Sequence, residues 1–118
     1  MIDLKGKTVA VFGVASDTSI AWAITKMLAE AGADIILGYQ FRFKSRVMGL
    51  VKDNPQIKGF YPCDVTKEEE VKAFFNEVDG NIDVMIHAIA WAEAATFKKP
   101  VVLCTAQEFS SALEISAY

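Results

Sequence analysis

Short apolar runs alternate along the chain with longer segments in which apolar residues recur every three or four positions. Apolar runs bounded by turn residues are typical of buried strands, whereas the longer spacing is typical of amphipathic helices. On this basis we predict strands at residues 8–12, 34–39, 59–63 and 83–90. A helical segment follows each strand, and the last one runs to the end of the sequence.

Some of the helical segments show an apolar face or a sequence signal for the start of a helix. In the first segment one face, which we expect to be buried, is formed by Ile20, Ile24, Met27, Leu28 and Ala31. Capping boxes, in which a threonine precedes a glutamate by three residues, are predicted at Thr66–Glu69 and Thr105–Glu108.

Repeated strand–helix units predict right-handed crossovers and a parallel sheet, and therefore an α/β fold. We expect the strand order 3-2-1-4 and one domain over residues 1–118. Ligands of such sheets bind outside the carboxyl ends of the strands, at the switch between the first and fourth strands.

Composition and charge argue against several classes of protein. The formal net charge of -3, with scattered Lys and Arg, argues against a nucleic-acid partner or an anionic membrane surface. Cys63 and Cys104 have no metal or redox spacing and suit a reducing compartment. There is no basic-then-apolar leader and no apolar run long enough to span a bilayer, so we expect a cytoplasmic protein.

The turn after the first strand is the first candidate site. Gly13 would let the backbone turn tightly, and the helix that begins near Ser19 and Ile20 would direct free N–H groups at a nucleotide pyrophosphate. The alternatives are a plain turn glycine, a helix-capping Ser19 and a core Ile20. Asp17 is expected to face solvent, because a carboxylate near a diphosphate is repelled.

Gln40 ends the second strand, at the position that meets the adenosine ribose in dinucleotide folds. A neutral glutamine can hydrogen-bond the ribose hydroxyl and adds no positive charge for a 2′-phosphate, which favours NADH. Arg42 and Lys44 lie just beyond and could serve the 2′-phosphate of NADPH. The alternative is an exposed loop glutamine.

Asp64 and Val65 follow the third strand. The aspartate can accept a hydrogen bond from the adenine amino group while the valine packs on the ring. Alternatively, Asp64 braces the turn before Thr66.

The fourth strand ends in a segment of small residues. Ala88 and Ala90 leave room for a ligand lying against the strand. His87, the single histidine, is more typical of a satisfied core residue than of a catalyst. The sequence predicts neither a metal site nor a Ser/His/Asp arrangement.

Four of these elements occur together in a known order: Gly-x5-Ser-Ile-Ala, Tyr-Gln, Cys-Asp-Val and the fourth strand. In this the chain resembles the enoyl-[acyl-carrier-protein] reductases of bacterial fatty-acid synthesis, in the short-chain dehydrogenase/reductase superfamily. The resemblance implies a Rossmann-like doubly wound sheet and pyrophosphate contacts from Ser19 and Ile20. It also implies a cofactor contact from Ile89 and a substrate contact from Ala92. Ala88 and Trp91 replace the usual serine and phenylalanine.

The resemblance further implies hydride transfer from NADH to a trans-2-enoyl-acyl-carrier-protein thioester, and a homo-oligomer, usually a tetramer. The family uses a Tyr-x6-Lys pair, but Tyr39 is followed at that offset by Arg46 and Tyr61 by Glu68, so we assign no catalytic residue. Because members run to roughly 250 residues, we expect a first half that stops within the helix after the fourth strand.

Two other classes of function compete with this one. A truncated chain that holds dinucleotide and catalyses nothing would be a binding module. A signal-receiver domain would need an acidic pair after the first strand, where this chain has Phe12-Gly13-Val14. In a half-domain the fourth strand lies at an open apolar edge, through which we expect association or poor solubility.

Overall fold

The computed structural model of the chain describes residues 2–118. Its strands and α-helices are β1 (Thr8–Phe12), α1 (Ile20–Glu30), β2 (Asp34–Tyr39), α2 (Lys44–Lys52), β3 (Ile57–Pro62), α3 (Glu68–Glu77), β4 (Val84–His87) and α4 (Ala106–Ser116). The predicted strands are all found. However, β4 is shorter than predicted, because residues 88–90 leave the strand ladder.

The strands form one parallel sheet in the order β3-β2-β1-β4, which confirms the predicted topology. Phe12, which ends β1, pairs with Gly38 on one side and His87 on the other. The carboxyl ends of the strands therefore lie along one edge of the sheet.

The two outer strands differ in regularity. β3 is irregular where Ile35 pairs with Ile57 and Ile36 with Gly59, so that Lys58 is an extra residue. β4 pairs with β1 without a register shift, and its Val84 and Met85 side chains are 38% and 58% exposed.

The core lies on the central strands. Val9, Val11, Ile35 and Leu37 are fully buried, as expected for parallel strands between layers of helix. The prediction for α1 was wrong in part, because its buried residues are Ala21, Trp22 and Thr25, whereas Ile20 and Met27 are 78% and 72% exposed. Apolar residues occur on all sides of this helix, so their spacing did not identify the face that meets the sheet.

The two predicted capping boxes had different outcomes. At α4, Thr105 Oγ1 accepts from the Glu108 N–H, and the Glu108 carboxylate accepts from the Thr105 N–H, as predicted. At α3 the prediction was wrong, because the N-cap is Lys67, which makes no side-chain capping bond. Thr66 instead bonds to Asp64.

The chain divides into two compact units, one ending at Ala88 and the other running from Ile89 to Tyr118. The first holds the sheet with α1, α2 and α3. The second holds α4 and two short 3-10 turns at residues 94–98 and 101–103. The single domain over residues 1–118 stays a prediction. Within the part of the chain that the structure describes, each helix is too short or too polar to cross a membrane.

Candidate functional site

Three predicted residues follow three neighbouring strands of the first unit. Gly13 follows β1, Gln40 follows β2 and Asp64 lies just beyond β3. The Cys63 N–H donates to the Tyr39 carbonyl at 2.8 Å, which holds the ends of β3 and β2 together. The structure thus brings Gly13, Gln40 and Asp64 to the same edge of the sheet.

Gly13 is required by its backbone conformation and by a close approach. Its φ is +117°, and a Cβ built there would lie 2.1 Å from the Ala88 carbonyl oxygen. Its N–H donates to the Gly38 carbonyl at 3.3 Å. The tight turn is therefore explained by packing against β4, and the approach to a pyrophosphate stays a prediction.

The start of α1 presents unpaired donors. Ser19 occupies the N-cap position, but its hydroxyl donates to the Ser16 carbonyl at 2.7 Å and does not cap the helix. Among residues 2–118, no acceptor is found for the N–H groups of Ile20 and Ala21. Such groups, together with the helix dipole, favour an anion. The exposed Ile20 side chain rules out the core interpretation, and Asp17 is exposed as expected.

A groove of about 540 Å³ lies beside this turn. Its lining residues come from the β1–α1 turn and from α2, and they are Ser16, Asp17, Thr18, Arg46, Gly49 and Leu50. Sequence reasoning missed Arg46, because no local pattern shows that α2 approaches this turn. The polar groups that line this groove are one guanidinium, two hydroxyls and the Asp17 carboxylate.

Gln40 is half-buried and already has one partner. The Arg42 Nε donates to the Gln40 Oε1 at 2.9 Å, and the guanidinium lies over the Phe43 ring, 4.6 Å from its centroid. Lys44 Nζ lies 5.5 Å from the centroid of the Phe41 ring. The Gln40 side-chain carbonyl is therefore engaged. No acceptor for its amide N–H groups is found among residues 2–118, so they can donate to a ribose oxygen.

Asp64 is held in a turn by its neighbours. Its Oδ1 accepts from the Thr66 N–H at 3.0 Å and from the Thr66 hydroxyl at 2.6 Å. Glu70, which sequence reasoning missed, reaches back from α3 and accepts from the Asp64 N–H at 2.7 Å. The bracing interpretation of Asp64 is therefore correct, and its contact with adenine stays a prediction. Val65 is half-buried beside it.

The titration of this corner follows from the same contacts. The hydrogen bonds from Thr66 hold the pKa of Asp64 below its ordinary value. Burial, assisted by the nearby Glu70 and Asp64 carboxylates, raises the pKa of the Cys63 thiol to about 11. At neutral pH the site therefore carries an ionised Asp64 and a neutral Cys63.

The second unit contains the remaining predicted contacts, Ile89 and Ala92, whose roles stay predictions. The Ser116 hydroxyl accepts from the Trp91 N–H at 2.9 Å and donates to the Trp91 carbonyl at 3.1 Å. Both backbone groups of Trp91 are thus tied to the end of α4. Within this unit, a cavity of about 240 Å³ is lined in part by Ala92 and by the Lys99–Glu108 ion pair.

His87 corrects another expectation, because its side chain is exposed rather than packed in the core. In the described ranges it makes no side-chain hydrogen bond. Over residues 2–118, no three His, Cys, Asp or Glu side chains lie together as metal ligands would.

Comparisons with known proteins point to one family. A family model described as "Enoyl-(Acyl carrier protein) reductase" matches residues 13–118. An enoyl-[acyl-carrier-protein] reductase [NADH] of Synechocystis sp. is 35% identical, over 100% of this chain and 48% of its own length. The chain spans about half the length of the curated relatives it matches.

Two crystal structures have the same fold. The Bacillus cereus enoyl-acyl carrier protein reductase with NADP+ and an indole naphthyridinone superposes with a TM-score of 0.89 at 38% identity, covering 99% of this chain and 48% of that one. The Anaplasma phagocytophilum reductase in complex with NAD gives 0.88 at 31%, covering 98% and 47%.

Proposed function

The chain belongs to the enoyl-(acyl carrier protein) reductase family, and from that premise we propose that it supplies the dinucleotide-binding part of an NADH-dependent reductase acting on trans-2-enoyl-acyl-carrier-protein thioesters. The observation that carries the proposal is the arrangement of Gly13, Gln40 and Asp64 at one sheet edge, beside the unpaired N–H groups of α1. This is the edge at which parallel α/β sheets bind nucleotides.

The dinucleotide would lie along this edge. Its pyrophosphate would accept from the N–H groups of Ile20 and Ala21, with Ser19 beside it. Its adenosine ribose would accept from Gln40, and its adenine would meet Asp64 and Val65. These donors and acceptors match the charge and polarity of each part of the molecule.

Two further contacts are proposed by family resemblance alone. Ile89 would lie beneath the ribose and nicotinamide, and Ala92 would border the acyl chain. NADH, when bound, supplies the hydride for the β-carbon of the enoyl group. The resulting enolate needs a proton and a hydrogen-bond donor, and no residue of this chain is assigned to that task.

NADH is proposed as the main cofactor and NADPH as a second one. Gln40 can hydrogen-bond the ribose hydroxyl and adds no positive charge for a 2′-phosphate, which favours NADH. Arg42, which donates to Gln40, and Lys44 could serve the 2′-phosphate of NADPH. The solved relatives include one complex with NAD and one with NADP+.

The proposal also includes the binding partners and the cellular location. The thioester would be presented by an acyl carrier protein, and the active assembly would be a homo-oligomer, a tetramer by family resemblance. A cytoplasmic location agrees with Cys63 and Cys104, which are both free thiols.

The proposed pyrophosphate contact can be tested at Ile20. A proline at the first helical position removes one N–H and is tolerated there, and Ser19 already has the extended conformation, with φ -70° and ψ 146°, that precedes a proline. We expect Ile20→Pro to weaken NADH binding about tenfold relative to Ile20→Ala, because a charge-assisted hydrogen bond is lost. Adenosine binding should be unchanged in both variants.

Turnover separates the proposal from its alternative. Consumption of NADH with an enoyl-acyl-carrier-protein thioester supports the reductase. Saturable NADH binding without turnover supports the alternative, a non-catalytic dinucleotide-binding module. Equal NADH binding by Ile20→Pro and Ile20→Ala would contradict the proposed pyrophosphate site.

A further inference from the structure

Glu70 is the centre of a hydrogen-bond network at the start of α3. Its Oε2 accepts from the Asp64 N–H at 2.7 Å, and its Oε1 accepts from Lys67 Nζ at 3.2 Å. Both carboxylate oxygens are therefore engaged, and the peptide that carries the Asp64 side chain is tied to the helix.

Thr66 holds the side-chain carboxylate of Asp64. Its N–H and its hydroxyl both donate to the Asp64 Oδ1. In the described part of the chain no hydrogen bond reaches the Asp64 Oδ2, and Lys67 Nζ lies 4.0 Å from it. The Asp64 side chain is 37% exposed, so a ligand can reach the carboxylate.

We propose that Glu70 and Thr66 are positioning residues for adenine recognition. Glu70 fixes the backbone of Asp64 and Thr66 fixes its carboxylate, which leaves Oδ2 as a pre-oriented acceptor for the 6-amino group of the base. The inference rests on the proposed function, in which Asp64 meets the adenine. Holding the acceptor in place before binding removes the entropy cost of ordering it on the ligand.

This arrangement selects 6-aminopurines against 6-oxopurines. An adenine amino group donates to a carboxylate oxygen, whereas the carbonyl of hypoxanthine places a second acceptor against it. A mobile Asp64 could turn away from the carbonyl, but a fixed one cannot, so the discrimination depends on the residues that hold it.

The test is the ratio of two dissociation constants, measured by titrating the chain with NADH and with reduced nicotinamide hypoxanthine dinucleotide. We expect the unmodified chain to bind NADH about tenfold more tightly, because the hypoxanthine analogue loses one hydrogen bond to a charged acceptor. Glu70→Ala and Thr66→Val should each lower this ratio by about threefold or more. Glu70→Gln, which keeps an acceptor for the Asp64 N–H, and Thr66→Ser, which keeps the hydroxyl, should preserve it.

Glu69→Ala is the matched control, because Glu69 is exposed and in the same turn of α3. A role confined to stability would change folding, or both affinities together, but not their ratio. If Glu70→Ala fails to fold, Thr66→Val against Thr66→Ser decides. A ratio unchanged in Glu70→Ala and Thr66→Val, with NADH still bound, overturns the inference and leaves the proposed function standing. Failure of the unmodified chain to bind either dinucleotide overturns both.

Discussion

Gly13 and Ala88 approach so closely that a Cβ on the glycine would stand 2.1 Å from the alanine carbonyl oxygen. Atoms at that distance overlap, and because the obstacle is backbone, β1 or β4 would have to move. The glycine is thus required where the central strand leaves the sheet.

Gly13→Ala should therefore lower the free energy of unfolding by about 2–4 kcal/mol, through backbone strain and the overlap with Ala88. Gly80→Ala is the control, because Gly80 also has a positive φ, +88°, but no atom lies within 4 Å of the position that its Cβ would take. We expect Gly80→Ala to cost about 1 kcal/mol. Urea unfolding of both variants measures the difference, and equal losses would contradict the role of the overlap.

Asp64 should make stability depend on pH in the acid range. Its folded pKa is lowered by the Thr66 hydrogen bonds, so its contribution is present above the unfolded pKa of about 3.9 and is lost as the pH falls through the folded value. Asp64→Asn should cost about 1 kcal/mol at neutral pH, a small value because the side chain is 37% exposed. The deficit should shrink below about pH 4. Unfolding curves at neutral and acid pH test this, and a constant deficit would argue against it.

Cys63 should resist alkylation while the chain is folded. Burial raises its pKa to about 11, from an ordinary value of 9.0. At mildly alkaline pH its thiolate fraction is therefore about a hundredfold below that of an ordinary thiol. Cys104→Ala, which leaves only Cys63, should react with iodoacetamide far more slowly than Cys63→Ala, which leaves the half-exposed Cys104. Mass spectrometry of timed samples gives both rates, and in urea they should become similar.

The capping box of α4 should stabilise that helix. Thr105→Ala removes the acceptor for the Glu108 N–H, which costs about 1 kcal/mol. Hydrogen exchange of the α4 amides should then be about fivefold faster. Ser110→Ala, on the exposed side of the same helix, serves as the control and should leave the exchange unchanged.

β1 and β2 were predictable because a parallel strand buried on both faces must be apolar at almost every position. The buried face of α1 was not, since Ile20 and Met27 are as apolar as the residues that face the sheet. The predicted Thr66–Glu69 box failed because Thr66 has a closer partner in Asp64, so α3 begins later and Glu70 rather than Glu69 turns back. The local sequence is compatible with both arrangements. The hydrogen bonds of Asp64, just beyond β3, select the one that the structure shows.

The two edges of the sheet are not equivalent. β3 is kinked by the extra residue Lys58 and ends in Pro62, and both features hinder a further strand. β4 is regular, and its outer backbone groups have no strand partner in residues 2–118. A further strand can therefore be added beside β4 but is hindered beside β3, so this sheet can be extended in one direction only.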